Sequence, residues 1–445
     1  MKRLHIETFG CQMNAHDSER VAEVMRRAGY EMAATADQAD LLIFNTCSIR
    51  ESAENKLYSV LGRLRPLKER RSDLIIAVGG CVGQQQGHRL LRRVPHLDVV
   101  FGPDDIPALP DLVLRIQHGF PPIARTELDT DDPFFLPIDR AKGEASPSAF
   151  VTIMKGCDER CTFCIVPHVR GPERYRAAAD VKNEVARLCA GGVSEVVLLG
   201  QTVNSYDGGC TFAELLARLD RVEGLRRLRY TSPHPRHVDP AVARAHAELP
   251  SLCEHVHLPV QSGSDRVLRR MLRRHTRAEY LDRVRLLRDA CPGLGLTTDF
   301  IVGFPGEMPE DFEATLSLVE EVRFDGAFSF KFSRRPGTAA LDLEDDVPEA
   351  EKDRRLALLM ATVDGIAARK RQDRLGEVHE VLITGPSKLG GTQLTGRTRR
   401  NDAVNFHPPP DRAGDSRECA VGAFVPVELM RVTAHAFEGR LAAQA

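Results

Sequence analysis

The sequence predicts an α/β protein in three parts. An N-terminal doubly wound parallel α/β domain spans residues 1–120, a central partial (β/α)6 barrel 148–375, and a small all-β barrel 376–445, with a linker at 121–147. Three observations carry this. Short apolar runs alternate with helical periods through the first two parts. Polar, glycine-bearing runs follow the strands of the second part on what would be one rim. Toward the C-terminus the hydrophobic period drops to two, between glycine and proline turns.

Composition sets the limits. A chain of 445 residues has room for about three domains. Hydrophobic residues at 42% suffice for packed cores, and 28% charged residues suit a water-exposed surface. The start, MKRLHIETFG, has no apolar secretory core, and no apolar run reaches the ~18 residues of a membrane helix. A cytoplasmic chain with no membrane partner is expected. Eleven cysteines in a reducing compartment then read as metal or catalytic ligands rather than disulfides. A net charge of −2 requires any RNA site to be a local basic patch.

In the first domain Leu4–Thr8, Asp40–Asn45 and Leu74–Val78 read as strands, with helical patterns at Asp17–Ala28 and Ala53–Leu64. Each strand runs straight into a cysteine: Cys11, Cys47 and Cys81. Parallel sheets bind ligands beyond the carboxyl ends of their strands, so the three would share one rim. One such cysteine reads as a small buried hydrophobe; three in the same context read as a cluster site. Pro121–Pro147 lacks either periodicity and reads as a linker, with Phe134, Phe135 and Leu136 expected to dock on a neighbour.

The central domain opens with the strand Phe150–Met154. It breaks at Gly156 into Cys157, Cys161 and Cys164, spaced C-x3-C-x2-C. Two readings stand at this point. A [4Fe-4S] cluster would use the three thiolates and keep one iron open; a closed zinc site would add His168 as fourth ligand. Further strands are expected at Glu195–Leu199, Leu225–Tyr230, His255–Pro259, Leu294–Val302 and Gly326–Lys331. Helices are marked by the Val181/Val185/Leu188 face, the Thr276–Glu279 capping box and the Phe312/Leu316/Val319 face. The loops that follow the strands begin at Gly200, Thr231, Val260, Gly303 and Ser333. Their Gly, Ser, Asn and Gln groups suit a ribose, an adenine edge or a carboxylate, and a zinc site explains none of them. Arg266–Arg288 carries nine arginines, either a solvated face or a phosphate track. Cys189, Cys210, Cys253, Cys291 and Cys419 fall in no cluster pattern and read as structural thiols.

The tail places strands at Val378–Thr384, Gln393–Thr398, Ala403–Phe406 and Gly422–Val432. Lys388, Arg397, Arg399 and Arg400 with Asn405 and Phe406 offer cations for phosphates and a ring for stacking.

Several of these runs are similar to those of a known family. The CxxxCxxC loop with Phe163 before its last cysteine resembles the radical S-adenosylmethionine (radical SAM) motif. FGCQMNAHDSE, NTCSIRESAENKLYSVLGRLRPLK and VGGCVGQQ resemble the N-terminal domain of the methylthiotransferases, and C-Q-M-N and C-S-I-R-E their bacterial tRNA branch. LLGQTVNSY, TSPHP, HLPVQSGSDRVL, TDFIVGFPGE and SRRPGTAA resemble the barrel of that family, and ITGPSKLGGTQLTGRTRRNDAVNF its tRNA-binding TRAM domain. Phe332 and His168 stand where aromatic residues are usual (a tyrosine at the first).

The resemblance implies two [4Fe-4S] clusters, one on Cys157, Cys161 and Cys164 and an auxiliary one on Cys11, Cys47 and Cys81. It implies two SAM molecules per turnover, with contacts expected at Phe163, Gly200, Gln201, Asn204, Ser232, Gln261, Ser262 and Gly303. The implied substrate is tRNA, methylthiolated at N6-isopentenyladenosine beside the anticodon. Threonylcarbamoyladenosine, a ribosomal protein, or a zinc-dependent RNA-binding role without catalysis are the alternatives. A flavodoxin-like reductase as electron donor and a monomeric state are expected.

Overall fold

The computed structural model describes residues 2–48, 51–128, 146–388, 390, 392–408 and 419–442. The N-terminal sheet holds β1 (Lys2–Phe9), β2 (Tyr30–Met32), β3 (Leu41–Thr46), β4 (Ile75–Gly79), β5 (Val99–Phe101) and β6 (Ile123–Arg125). All pair in parallel, in the order β2-β1-β3-β4-β5-β6. The helices α1 (Gln12–Arg27), α2 (Glu51–Arg70), α3 (Gly80–Gln86), α4 (His88–Arg93) and α5 (Leu109–Gln117) cover it. One core packs Leu42, Phe44 and Ile76 against Leu57 and Leu61 of α2; the other packs Leu41, Ile43 and Val99 against Val21 of α1 and Leu112 of α5. Burial on both faces is why β3 and β4 are continuously apolar rather than alternating.

The sheet reaches further than the sequence indicated. Ile123–Arg125 pairs with β5 inside the segment read as linker. Three residues at a sheet edge are too few to show a period. Phe134, Phe135 and Leu136 lie outside the described residues.

The central domain begins with β7 (Ser148–Thr152). The short pair β8 (Met154–Lys155) and β9 (Arg174–Tyr175) closes a loop that holds the three cysteines and α6 (Val166–Arg170). Next come α7 (Ala178–Ala190), β10 (Glu195–Leu199), α8 (Phe212–Asp220), β11 (Arg227–Tyr230), α9 (Pro240–Glu248) and β12 (His255–His257). They are followed by α10 (Asp265–Arg270), α11 (Arg277–Ala290), β13 (Gly295–Val302), α12 (Pro309–Val322), β14 (Gly326–Lys331) and α13 (Glu349–Gln372). The other six strands form two parallel sheets, β11-β10-β7 and β12-β13-β14, joined by a bridge between Leu228 and Leu252. This is the open six-unit barrel the alternation predicts. Thr276 caps α11 as anticipated: its backbone N–H donates to Glu279 at 2.7 Å, and Glu279 N–H donates to its hydroxyl at 3.2 Å.

In the tail, β15 (Val378–Pro386), β16 (Leu394–Arg397), β17 (Ala403–His407), β18 (Phe424–Val432) and β19 (Phe437–Leu441) close a barrel in the order β15-β16-β17-β19-β18. The strand β19 was not foreseen. Its run FEGRL shows little alternation, and what makes it a strand is pairing with β17 and β18.

The turn after β16 packs under the amino ends of the central strands. Arg227 donates to Arg397 O at 2.7 Å, and Arg229 to Thr398 O at 2.7 Å and Arg399 O at 2.9 Å. Arg399 pairs with Glu254 and Arg400 with Asp325, each at 2.9 Å. The Arg399 and Arg400 guanidiniums, expected at an RNA surface, are engaged by carboxylates of the central domain. Phe406, 1% exposed, fills the small barrel's core and offers no stacking face. Lys388 and Arg397 remain exposed and Asn405 half-buried. Among the described residues no helix is long and apolar enough to cross a membrane.

Candidate functional site

Two sets of three cysteines meet where the first domain abuts the central barrel. In the first set, β1, β3 and β4 are neighbours, so their carboxyl ends align. Cys11 is the N-cap of α1, Cys47 follows β3 directly, and Cys81 sits in the first turn of α3. Helix amino termini present N–H groups and a positive dipole end, which favours thiolate. A buried amide network sets the spacing. Asn14 donates to Asn45 Oδ1 at 3.1 Å, Asn45 donates to Asn14 O at 2.8 Å and Ser18 Oγ at 2.9 Å, and the Cys11 thiol meets Asn14 Oδ1 at 3.4 Å. Gly80 has φ +82°, and a Cβ there would lie 2.2 Å from Asn45 Oδ1, so glycine is required to bring Cys81 in. The neighbouring Cys47 thiol holds Cys11 down at about 6, despite burial. Burial pushes Cys81 up, opposed by the Arg170 guanidinium.

In the second set, Gly156 turns the chain from β8 into the loop. Its φ is +80°, and a Cβ would lie 1.8 Å from Pro172 O. Gly156 N–H donates to Gln201 Oε1 at 2.6 Å, Cys157 Sγ lies 3.1 Å from Thr202 Oγ1, and Arg273 donates to Cys161 Sγ at 3.5 Å. Burial pushes Cys157 up to about 11 and Cys164 up to about 12. These are desolvated thiols that bound metal would stabilise as thiolates.

Three free thiols in each set are the donor type that holds an iron–sulfur cluster. His168 is exposed on α6.

Between the two sets runs a buried ionic seam. Arg170 donates to Asp17 at 2.6 Å, and Lys155 and Arg174 both reach Asp104 at 2.9 Å. Cys81 packs against Ile165 and Val169 of the second loop. Sequence reasoning missed this seam, as it missed Asn14, Asn45 and Arg273. The available signal was charge inside the cysteine-bearing runs, at Asp17 and Arg170.

The rim residues expected to touch SAM divide. Gln201 anchors the cysteine loop through Gly156. Asn204 ties two rim loops together, donating to His234 O at 2.9 Å and accepting from His234 N–H at 2.7 Å. Ser232 and Gln261 hold positive φ, +57° and +77°, at the strand ends. Gly200 packs on Met154 and Gly303 on Lys352. Phe163 packs with Val267, Met271 and Phe304. Ser262 is a correction. It is 0% exposed and accepts from Ser264 N–H at 3.2 Å, so it braces its own turn instead of facing a ligand. The arginine-rich run is also largely engaged, as in Arg266 with Asp311, Arg277 with Glu321 and Arg285 with Asp282.

Residues 3–102 match the uncharacterized protein family UPF0004, and residues 151–319 the radical SAM superfamily. A tRNA-2-methylthio-N(6)-dimethylallyladenosine synthase of Sorangium cellulosum is 51% identical over 99% of this chain and 93% of its own. The chain belongs to the tRNA-2-methylthio-N(6)-dimethylallyladenosine synthase family. Members from Acidithiobacillus ferrooxidans (47%, 96% of each chain) and Yersinia enterocolitica (43%, 99% of this chain and 92% of that one) agree. The fold is shared with more distant structures. The methyltransferase TsrM of Kitasatospora setae, with cobalamin and a [4Fe-4S] cluster bound, gives a TM-score of 0.57 at 16% identity, covering 76% of this chain and 77% of that one. OxsB, with aqua-cobalamin and S-adenosylmethionine bound, gives 0.52 at 13%, covering 82% and 58%.

Proposed function

We propose that this protein is a radical SAM methylthiotransferase that adds a methylthio group at C2 of N6-isopentenyladenosine beside the anticodon of tRNA. The observation that carries the reading is that Arg170, on the helix after Cys164, reaches Asp17 and borders Cys81, so the two cysteine-bearing segments pack together. Bound there, two [4Fe-4S] clusters and SAM would supply what no side-chain base can: a radical able to take hydrogen from an aryl C–H, and a methylated sulfur to replace it.

In this reading Cys157, Cys161 and Cys164 hold the SAM-binding cluster, and Cys11, Cys47 and Cys81 the auxiliary one. Arg273 beside Cys161 and Arg170 beside Cys81 offset thiolate charge. Gln201 fixes the backbone from which Cys157 projects. The target base enters the barrel after leaving its stack, at a cost of a few kcal/mol.

The barrel interior favours a prenylated base. Lys331 of β14 pairs with Glu349 and Asp353 of α13, so the alternate residues Phe328 and Phe330 face into the open barrel, 58% and 40% exposed. Beside Phe328 stands His257, 3.2 Å from Asp299. An isopentenyl group buries apolar surface on these rings. A threonylcarbamoyl group would bring a carboxylate next to Asp299, a cost of the like-charge kind.

Two measurements test the proposal. Iron and sulfide are counted in anaerobically reconstituted wild type and in the Cys157/Cys161/Cys164 triple alanine variant, and digested tRNA is examined by mass spectrometry. About eight irons falling to about four, with 2-methylthio product from the wild type, is the expected result. About four falling to none, or no methylthio product on prenylated tRNA, would overturn it.

A further inference from the structure

A small cleft opens beside the cysteine loop. It lies between the turn after β11 and the start of α11, and Pro235, Arg236, Arg274, His275, Glu279 and Arg283 line it. Its volume is about 50 Å³, several times the roughly 10–15 Å³ one water needs.

Its charge is unbalanced. Glu159, between Cys157 and Cys161, is shared at long range by Arg236 and His237, both at 3.4 Å, and by Arg274 at 3.7 Å. Glu279 is occupied by the cap of α11, accepting from Thr276 N–H at 2.7 Å and its hydroxyl at 3.0 Å. Arg283 makes no hydrogen bond among the described residues and has only the Glu279 carboxylate, one turn earlier, as a nearby opposite charge. His275, 7% exposed, lines the cleft with both ring nitrogens unpartnered. Three guanidiniums around a pocket with a spare buried donor make an oxyanion site, because guanidinium binds phosphate through paired N–H groups.

We propose that this cleft binds one backbone phosphate of the RNA, from a nucleotide flanking the target adenosine. The inference rests on the function proposed above. The cleft borders the rim through which a flipped base enters the barrel, and a flipped base leaves its own strand's phosphates along that rim.

The test measures binding of a prenylated anticodon stem-loop to the reconstituted protein across a KCl series. Arg283→Ala is expected to weaken binding about tenfold. It should also lower the slope of log Kd against log[KCl] by about one. Arg283→Lys should recover most of the slope. Arg285→Ala, on the same helix but paired with Asp282, should leave it unchanged. Unchanged slopes in both Arg283→Ala and Arg236→Ala would overturn the inference. So would unchanged RNA binding together with slower reduction of the protein by a flavodoxin, which would make the cleft a protein-docking site. Loss of methylthio product from wild type on the same RNA would sink the proposed function instead, and is read separately.

Discussion

Arg170, on the helix just after Cys164, donates to the Asp17 carboxylate at 2.6 Å, with both side chains almost fully out of solvent. The pair joins the helix that begins at Cys11 to the loop that ends at Cys164, across 153 residues of chain. Arg170 also stands against Cys81. A guanidinium carried by the second cysteine segment therefore braces the first.

Removing Asp17 leaves that guanidinium buried without its anion. Asp17→Ala is expected to cost about 3–5 kcal/mol in urea unfolding. The double variant Asp17→Leu/Arg170→Met should recover much of that loss, while lowering iron retention at the auxiliary set. Equal losses in the single and double variants would mean the pair contributes through packing alone.

The two cysteine sets should separate chemically. Cys157→Ala is expected to abolish SAM cleavage and remove about four irons, while the auxiliary four remain. Cys47→Ala should retain SAM cleavage and lose methylthio product. Methylthio product from Cys47→Ala would refute the assignment of the first domain.

Docking of the small barrel should depend on acid pH. Burial pushes the Glu254 carboxyl up, but Arg399 outweighs it and holds the group below its ordinary value. Asp325 behaves alike under Lys370 and Arg400. Because these pKa values fall on folding, the folded state binds fewer protons, and the stabilisation is fully present above the unfolded value of about 4.3. It is lost as pH falls through the lowered values. Calorimetry between pH 6 and about pH 3 should show this loss in wild type and a flatter profile in Glu254→Gln. Parallel profiles would place the acid sensitivity elsewhere.

The aromatic pair in the open barrel predicts substrate selectivity. Phe330→Ala is expected to raise KM for prenylated tRNA about tenfold or more, since base–aromatic stacking contributes about 1–3 kcal/mol. The prenylated and unprenylated stem-loops should then bind more nearly alike. Preserved discrimination in the Phe328/Phe330 double alanine variant would remove these rings from recognition.

What the sequence by itself determined is local. The C-x3-C-x2-C spacing, the strand ends at Phe9, Thr46 and Gly79, and the Thr276–Glu279 cap all rest on neighbours within a few residues, where period and turn chemistry suffice. The same holds for the six strand–helix units and the periodicity of the tail. Short strands such as Ile123–Arg125 and Phe437–Leu441 were illegible, because their conformation is imposed by partner strands rather than by their own pattern. Tertiary structure alone decided the use of each charge. Arg399 and Arg400 read as free cations until Glu254 and Asp325 arrive from 145 and 75 residues away. Phe406 reads as a stacking ring until the barrel closes over it. Arg283 reads like its eight neighbouring arginines until packing engages several of them and leaves it lining a cleft. A charged or aromatic side chain carries the same letter whether buried, paired or open, and only its distant partners settle which.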